Sequence, residues 1–175
     1  MTCRILVSAC LMGAPVRHDG GARPVEDPRL AAWRAEGRLV PLCPEGLGGL
    51  PTPRPPAEIE PGQTATSVLA GAARILTDSG ADVTEAFVAG AHRALRIAQE
   101  TGCAFALLTE RSPSCGVREV HAGRHDGTRI PGQGVTAALL LRHGIAVFGE
   151  DQLDALEAAL SDRRAPLRSP GKAPT

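Results

Sequence analysis

Aromatic side chains are nearly absent from this chain of 175 residues, which has three phenylalanines, one tryptophan and no tyrosine. Proteins that bind single-stranded nucleic acid stack the bases on aromatic side chains, so this mode of binding is disfavoured. Net charge is absent too, because 19 basic and 19 acidic side chains cancel. The composition therefore lacks the basic surface that general binding to a phosphate backbone requires, and it leaves room only for a nucleobase or nucleotide in a pocket.

Long apolar runs are also missing. No stretch approaches the roughly 18–20 apolar residues of a membrane-spanning helix. The first residues lead directly into a predicted strand, without the charged segment and apolar run of a signal peptide. We therefore expect no membrane partner and a cytoplasmic location. Thiols stay reduced in that compartment, so the five cysteines are expected to be free of disulfides.

The alternation of apolar runs with helical periodicity predicts a single α/β domain over residues 1–162 and a disordered tail over residues 163–175. The predicted architecture is a Rossmann-like parallel sheet flanked by helices. Strands are predicted at residues 5–9, 38–42, 104–108 and 145–148, and an edge strand is predicted at 72–77. Helices are predicted at residues 27–37, 84–101, 135–143 and 151–161. Residues 47–63, which follow the Cys43-Pro44-Glu45-Gly46 segment, are predicted to form a long irregular loop, and a loop of that length is usually functional.

Three cysteines each follow a predicted strand: Cys10, Cys43 and Cys115. We call them the cysteine triad. Side chains beyond the carboxyl ends of parallel strands converge on one crevice, so these three thiols are expected to meet there. Cys3 and Cys103 instead stand at the beginnings of strands, roughly 20 Å or more from that edge at the usual rise per residue. We interpret these two as small buried side chains.

The spacing of the triad leaves three kinds of site open. A structural zinc site favours close cysteine pairs and four ligands, so zinc would need His18 or His121 as an additional ligand. Three dispersed thiolates fit better to an iron–sulfur cluster that has one iron without a protein ligand. A nucleophilic cysteine with a histidine base is the third interpretation, and it would leave two thiols of the triad without a role.

Polar residues beside the triad are candidates for catalysis or binding. Glu45, two residues after the second cysteine, is placed to act as a general acid or base, the alternative being a solvated loop carboxylate. Ser112 and Ser114 precede the third cysteine, where they either donate hydrogen bonds to sulfur or substrate or stabilise a turn. Arg54 lies in a stiff proline-rich segment, and its guanidinium suits an anionic or carbonyl group of a substrate as well as a salt bridge.

Several of these segments together resemble one known family. In chain order they are ILVSACL at 5–11, RHDG at 17–20, CPE at 43–45, GGLPTPRPPAEI at 48–59, DVT at 82–84, SPSCG at 112–116 and GVTAALL at 134–140. These motifs are similar, in the same order, to those of the DUF523 family of small thiouracil desulfidases. The resemblance covers nearly the whole chain, about residues 4 to 155.

The resemblance implies an oxygen-sensitive [4Fe-4S] cluster held only by the cysteine triad, at the carboxyl ends of the strands, with the fourth iron binding the sulfur of a thiolated pyrimidine. It also implies that Glu45 and Ser112 assist catalysis. We expect Arg54 and Ser114 to bind substrate. The predicted reaction removes sulfur from a small-molecule thiopyrimidine, either thiouracil or thiouridine monophosphate, and gives the keto compound and sulfide. The alternatives are a non-enzymatic metal or cluster sensor and a desulfidase of thiouridine in tRNA.

Two features depart from the pattern of the family. Residues 117–129 are more basic than the expected loop with tyrosine and aspartate, and His18 stands where tyrosine is common. Neither change touches the triad. Both therefore concern the identity of the substrate rather than the presence of the cluster.

Overall fold

Strands alternate with helices along the computed structural model, which describes residues 2–164. In chain order the elements are β1 (Arg4–Ser8), α1 (Pro28–Ala35), β2 (Leu39–Leu42), α2 (Pro44–Leu47), β3 (Ala57–Ile59), α3 (Ala65–Leu69), β4 (Ile75–Thr77), α4 (Thr84–Glu100), β5 (Cys103–Leu108), β6 (Glu119–His121), β7 (Arg129–Pro131), α5 (Val135–Arg142), β8 (Ala146–Gly149) and α6 (Leu153–Arg164). A short 3₁₀ helix, Ala9–Met12, follows β1 directly. The predicted tail lies outside the described residues from residue 165 onward, and α6 extends three residues beyond its predicted end at 161.

The central sheet has four parallel strands in the order β2-β1-β5-β8. Alternate side chains of β1 point to opposite faces, as the pleat requires. Ile5 and Val7 pack in a cluster with apolar residues of α1 and α6, whereas Leu6 packs in a second cluster with residues of α4 and α5. Helices therefore cover both faces, and the predicted Rossmann-like parallel sheet is confirmed.

The strand order places a topological switch point beside β1. The chain crosses from β1 to β2 on one side, and later enters β5 on the other side. Connections that leave a parallel sheet in opposite directions open a crevice at the carboxyl ends of the strands. The loops after β1, β2 and β5, which carry the cysteine triad, meet at this crevice.

The structure contains two small antiparallel ribbons that the sequence did not predict. The segment 47–63, predicted to be irregular, contains β3, which pairs with β4 rather than with the main sheet, and α2 lies at its start. The strand predicted at 72–77 is present but shorter, since only Ile75–Thr77 is a strand, and it pairs with β3 instead of forming an edge of the main sheet. The glycine-rich segment before α5 contains a second ribbon, β6 with β7. Strands of three residues are too short to show a period in the sequence.

Helix α4 begins where the sequence predicts it. The Asp82 carboxylate accepts hydrogen bonds from the backbone N–H of Thr84 at 3.0 Å and from its hydroxyl at 2.6 Å. The same Thr84 oxygen accepts from the backbone N–H of Ile75 at 2.8 Å, which ties the helix to β4. Gly102 ends the segment with a φ of +68°, a left-handed conformation that glycine adopts without steric cost.

Helix α2 lies directly on α4 through glycine contacts. A Cβ atom at Gly90 of α4 would overlap the Pro44 carbonyl, and a Cβ at Gly48 would overlap the carbonyl of Ala86. Only glycine permits this approach, so the backbone of α4 fixes the position of the short segment that carries Cys43 and Glu45.

No helix within residues 2–164 is long and apolar enough to cross a membrane.

Candidate active site

A cavity of about 440 Å³ opens at the carboxyl edge of the parallel sheet. All three cysteines of the triad line it: Cys10 from the 3₁₀ helix after β1, Cys43 from the end of β2 and Cys115 from the loop after β5. The structure thus brings together the three thiols that the strand pattern predicts to meet. All five cysteines of the chain are free.

The sulfur atoms of the triad lie in a buried, hydrogen-bonded environment. The Ser8 hydroxyl lies 3.5 Å from Cys115 Sγ as a donor, and its oxygen accepts from the backbone N–H of Thr109 at 3.1 Å. Burial raises the pKa of Cys115 well above its ordinary value, and it also raises the pKa of Cys10, where the positive charge of Arg17 opposes the shift. Thiols of this kind ionise when a metal displaces their protons rather than in water.

The other two cysteines lie away from the cavity, as predicted. Cys103 is buried at the start of β5, with its sulfur 3.3 Å from the Thr101 hydroxyl, and burial raises its pKa. Cys3 is partly buried beside the first residue of β1. Neither residue lines the cavity, so both remain structural.

Glu45 lies in the first turn of α2, where Pro44 starts the helix and holds Cys43 in an extended conformation. One carboxylate oxygen of Glu45 lies 2.6 Å from Nε of Arg54. The other accepts a hydrogen bond of 3.2 Å from the Ser112 hydroxyl. The Glu45 side chain is 14% exposed and the Arg54 side chain 5% exposed, so this is a buried ion pair that faces the cavity.

The remaining donors of Arg54 also bind the protein. One terminal nitrogen donates to the carbonyl of Pro51 at 3.1 Å and to the Thr52 hydroxyl at 3.0 Å. The other donates to the carbonyl of Val16 at 3.0 Å and lies 4.0 Å from Cys43 Sγ. Sequence reasoning identified a pre-organised guanidinium but missed its partner. The arginine orients Glu45, and its direct contact with substrate stays a prediction.

The loop that carries Cys115 is closed by Ser112. The Ser112 hydroxyl oxygen accepts from the backbone N–H groups of Ser114 at 3.0 Å and of Cys115 at 3.1 Å. The backbone N–H of Gly116 donates to the Ser112 carbonyl at 2.9 Å. The backbone amides of Cys115 and Gly116 are therefore used inside the loop and do not donate to a sulfur atom or a substrate. Ser112 joins this turn to Glu45.

Ser114 has a different position from its neighbour. Its side chain is fully buried, and its hydroxyl forms a hydrogen bond of 2.8 Å with the hydroxyl of Thr136 in α5. It does not contribute to the lining of the cavity. The geometry gives Ser114 a role in holding the loop against α5, and a contact with substrate stays a prediction that its position does not support.

Two residues that line the cavity, Ser8 and Glu58, were missed at the sequence level. Ser8 is the last residue of β1, and its hydroxyl bridges the ends of β1 and β5 at the switch point. Glu58 is a buried carboxylate in β3, and His125 lies beside it. A charged residue inside a short apolar segment was the available signal for Glu58. The contact with His125, 67 residues further along, has no signal in the sequence.

The donor set fits an iron–sulfur cluster. Within residues 2–164, no three Cys, His, Asp or Glu side chains lie close enough to hold a single metal ion. The triad is instead spread around a cavity of about 440 Å³, and a cluster of several iron atoms needs its cysteines further apart than one zinc ion does. Arg17 and Arg54 lie near the sulfurs and balance the negative charge that thiolates bring. The residues present therefore match the chemistry of a three-cysteine cluster site.

The fold and this site define a class: α/β proteins with a cluster-type cysteine triad at the switch point of a parallel sheet. The profile of the family described as 2-thiouracil desulfurase matches residues 5–152. The chain belongs to this family, and the resemblance drawn from the sequence motifs is confirmed.

Two relatives agree with this assignment. A solved structure of the "[4Fe-4S]-dependent thiouracil desulfidase TudS (DUF523Vcz)" is 49% identical, with a TM-score of 0.83, over 91% of this chain and 98% of that one. The uncharacterized protein YbbK of Bacillus subtilis (strain 168) is 45% identical over 150 residues, which are 86% of this chain and 97% of YbbK. Both matches extend over nearly the full length of the relative.

Proposed function

We propose that the protein is a [4Fe-4S]-dependent desulfidase that removes sulfur from thiolated uracil-type pyrimidines. One observation carries this function: the cysteine triad shares a single cavity with the hydrogen-bonded Glu45 and Ser112 pair. This shared cavity supports the proposal that a cluster held by the triad and an acid–base group, Glu45, act on the same small molecule. Membership in the 2-thiouracil desulfurase family supports the same reaction.

The chemistry divides between the cluster and the chain. A cluster bound by the triad supplies a Lewis acid that polarises the bond between carbon and sulfur. Glu45 acts as the general base or acid, since it takes a proton from the attacking water or delivers one to the ring. Ser112 orients the Glu45 carboxylate, and Arg54 holds it in place through a contact of 2.6 Å. The net reaction exchanges the thiocarbonyl sulfur for the oxygen of water and releases hydrogen sulfide, with no change in oxidation state.

The cavity supports a small molecule as the substrate. Its volume of about 440 Å³ lies in the range of small-molecule sites and accommodates a free base or a nucleotide. Two of the three arginines in the 117–129 segment, which would have to bind tRNA in the alternative, form ion pairs. Arg118 pairs with Glu110 and Asp151, and Arg129 pairs with Glu119.

Five free thiols also suit the reducing cytoplasm, where we place the enzyme.

The test is a comparison of cluster content and turnover in one anaerobic preparation. The reconstituted protein is expected to contain about four irons, as for a [4Fe-4S] cluster, and to convert 2-thiouracil to uracil and sulfide. Glu45→Gln is expected to keep the iron content and the visible absorbance while losing about 100-fold to 10,000-fold in kcat, as for removal of a general acid–base group. Glu157→Gln, on the exposed face of α6, is the matched control and keeps full turnover.

The alternatives give different results in the same experiment. A cluster-loaded protein without turnover of thiouracil contradicts the desulfidase function and favours the sensor. Turnover that survives Glu45→Gln removes the carboxylate from the mechanism. If thiouridine in tRNA is converted with a higher catalytic efficiency than free thiouracil or its monophosphate, the function moves to the tRNA alternative.

A further inference from the structure

The side-chain donors that approach the sulfur atoms of the triad differ in charge. A guanidinium nitrogen of Arg54 lies 4.0 Å from Cys43 Sγ. The Cys115 sulfur instead meets a neutral donor, the hydroxyl of Ser8, at 3.5 Å, and no other side chain within residues 2–164 forms a hydrogen bond with it. Ser8 is 3% exposed and lines the cavity. The mechanism above gives it no role.

The direction of this hydrogen bond follows from the other contact of Ser8. The Ser8 oxygen accepts from the backbone N–H of Thr109 at 3.1 Å, so the one proton of the hydroxyl stays available for a second partner. A free thiol has a weakly donated proton of its own, but a metal displaces that proton when it binds. The Cys115 thiolate is then an acceptor only, and Ser8 is the donor.

Both ends of the hydrogen bond are held by the backbone. Ser8 is the last residue of β1 and lies opposite Leu42 in the register of the parallel sheet. The loop of Cys115 packs against the start of α5, where a Cβ atom at Gly134 would overlap the carbonyl of Ser114 and the backbone nitrogen of Cys115. The hydroxyl is therefore already in place beside the sulfur before any metal binds.

Burial gives this single hydrogen bond a large influence on the sulfur. Cys115 is 4% exposed, and burial is the main reason why its pKa is raised, whereas the hydrogen bond from Ser8 is the largest influence that lowers this pKa. A buried charge is costly unless it is paired or hydrogen-bonded, and hydrogen bonds to charged groups are stronger than those between neutral groups. Ser8 thus stabilises negative charge on the sulfur of Cys115.

We infer that Ser8 makes the cluster a stronger Lewis acid by donating a hydrogen bond to the thiolate of Cys115. This inference rests on the proposed function. Hydrogen bonds to sulfur are among the factors that set the reduction potential of iron–sulfur clusters. A thiolate whose charge is stabilised in this way gives less electron density to its iron, and the reaction needs a Lewis acid to polarise the bond between carbon and sulfur. Ser8 is a positioning residue, because it acts through Cys115.

The test measures the reduction potential of the cluster-loaded enzyme. Ser8→Ala removes the hydroxyl and is expected to keep the iron content, while the potential moves to a more negative value. The kcat for 2-thiouracil is expected to fall about 2-fold to 10-fold, the range for the loss of one hydrogen bond of ordinary strength.

A vibrational measurement shows whether the hydrogen bond itself is responsible. The iron–thiolate stretching frequencies in the resonance Raman spectrum shift in D₂O where an exchangeable proton binds a sulfur atom. Ser8→Ala is expected to lose part of this shift. Ser8→Thr, which keeps a hydroxyl at this position, is expected to restore both the shift and the potential. Ser161→Ala removes an exposed hydroxyl of α6, and as the matched control it changes neither.

The potential and the Raman shift do not depend on turnover. An inactive wild type whose potential still becomes more negative in Ser8→Ala would refute the proposed function alone. Turnover by the wild type, together with an unchanged potential in a fully loaded Ser8→Ala variant, would refute this inference alone. Loss of iron from Ser8→Ala would make the residue a support of the cluster and would also overturn it.

Discussion

Replacing Arg54 with methionine tests whether the buried ion pair holds the Glu45 carboxylate in its working position. Methionine keeps much of the volume of the side chain and removes every hydrogen-bond donor. The change leaves Glu45 without its contact of 2.6 Å and the Val16 carbonyl without its contact of 3.0 Å. Glu45 would then face a cavity that also holds the thiolates, with only Ser112 as a partner.

The expected loss of stability follows from the burial of the pair. Both side chains are less than one-fifth exposed, at 5% for Arg54 and 14% for Glu45, so water screens their interaction only in part. Removal of one partner from a buried ion pair costs about 3–5 kcal/mol, because the other charge is left uncompensated. We therefore expect Arg54→Met to lower the free energy of unfolding by about that amount. Arg54→Lys keeps the charge but not the fork geometry, and its effect should be intermediate.

A double-mutant cycle isolates the pair from the other contacts of Arg54. In a Glu45→Gln background the methionine substitution no longer strands a charge, so it should cost less by a coupling energy of about 0.5–3 kcal/mol. The assay is unfolding in urea, followed by circular dichroism on anaerobic protein with its iron content measured in parallel. Equal costs in the two backgrounds, or full turnover of thiouracil by Arg54→Met, would refute the role of the pair.

Three shorter predictions follow from other parts of the structure. Serine at any position of the cysteine triad should abolish cluster retention, whereas serine at Cys3 or Cys103 should leave the iron content of the purified protein unchanged; retained iron in all three triad variants would refute the site. Gly90→Ala should lower the iron content of the protein although alanine has the better helix propensity, because the added Cβ displaces α2. The control is Ala158→Gly on the exposed side of α6, which should lower the free energy of unfolding by about 1 kcal/mol and leave the iron content unchanged. Hydrogen bonds at the start of α4 lower the pKa of Asp82, so its contribution to stability is present above about pH 4 and is lost as the pH falls through the depressed folded value. Asp82→Asn should therefore flatten the fall of the melting temperature on the acid side, and an unchanged acid profile would contradict this.

The sequence predicts the centre of the molecule well, because the centre follows general rules. Each apolar run that precedes Cys10, Cys43 or Cys115 is long enough to identify as a strand, and parallel strands place their carboxyl ends together. The same rule predicts the crevice without any structure. The start of α1 is equally local, since Asp27 accepts from the backbone N–H of Arg29 at 2.8 Å, as the Asp-Pro pair indicates.

The surroundings of the triad depend on contacts that local patterns do not encode. Arg54 meets Glu45 only because the proline-rich segment turns back over α2, and no spacing rule specifies that path. Ser112 and Ser114 look equivalent in the sequence, but one faces Glu45 and the other faces α5. The hydrogen bond from Ser8 to Cys115 joins residues that lie 107 positions apart in the chain. These properties arise from tertiary packing and so become visible only in three dimensions.

The glycine contact between α2 and α4 has a consequence for the order in which the protein assembles. Helix α2 has only four residues, far fewer than a helix needs to be stable alone. We therefore expect Cys43 to reach its final place only after α4, which lies later in the chain, has folded and Gly90 can contact the Pro44 carbonyl. Cys115 lies still later in the chain. Iron is thus expected to enter a nearly finished protein, and the maturation machinery of the cell meets a folded site rather than an emerging chain.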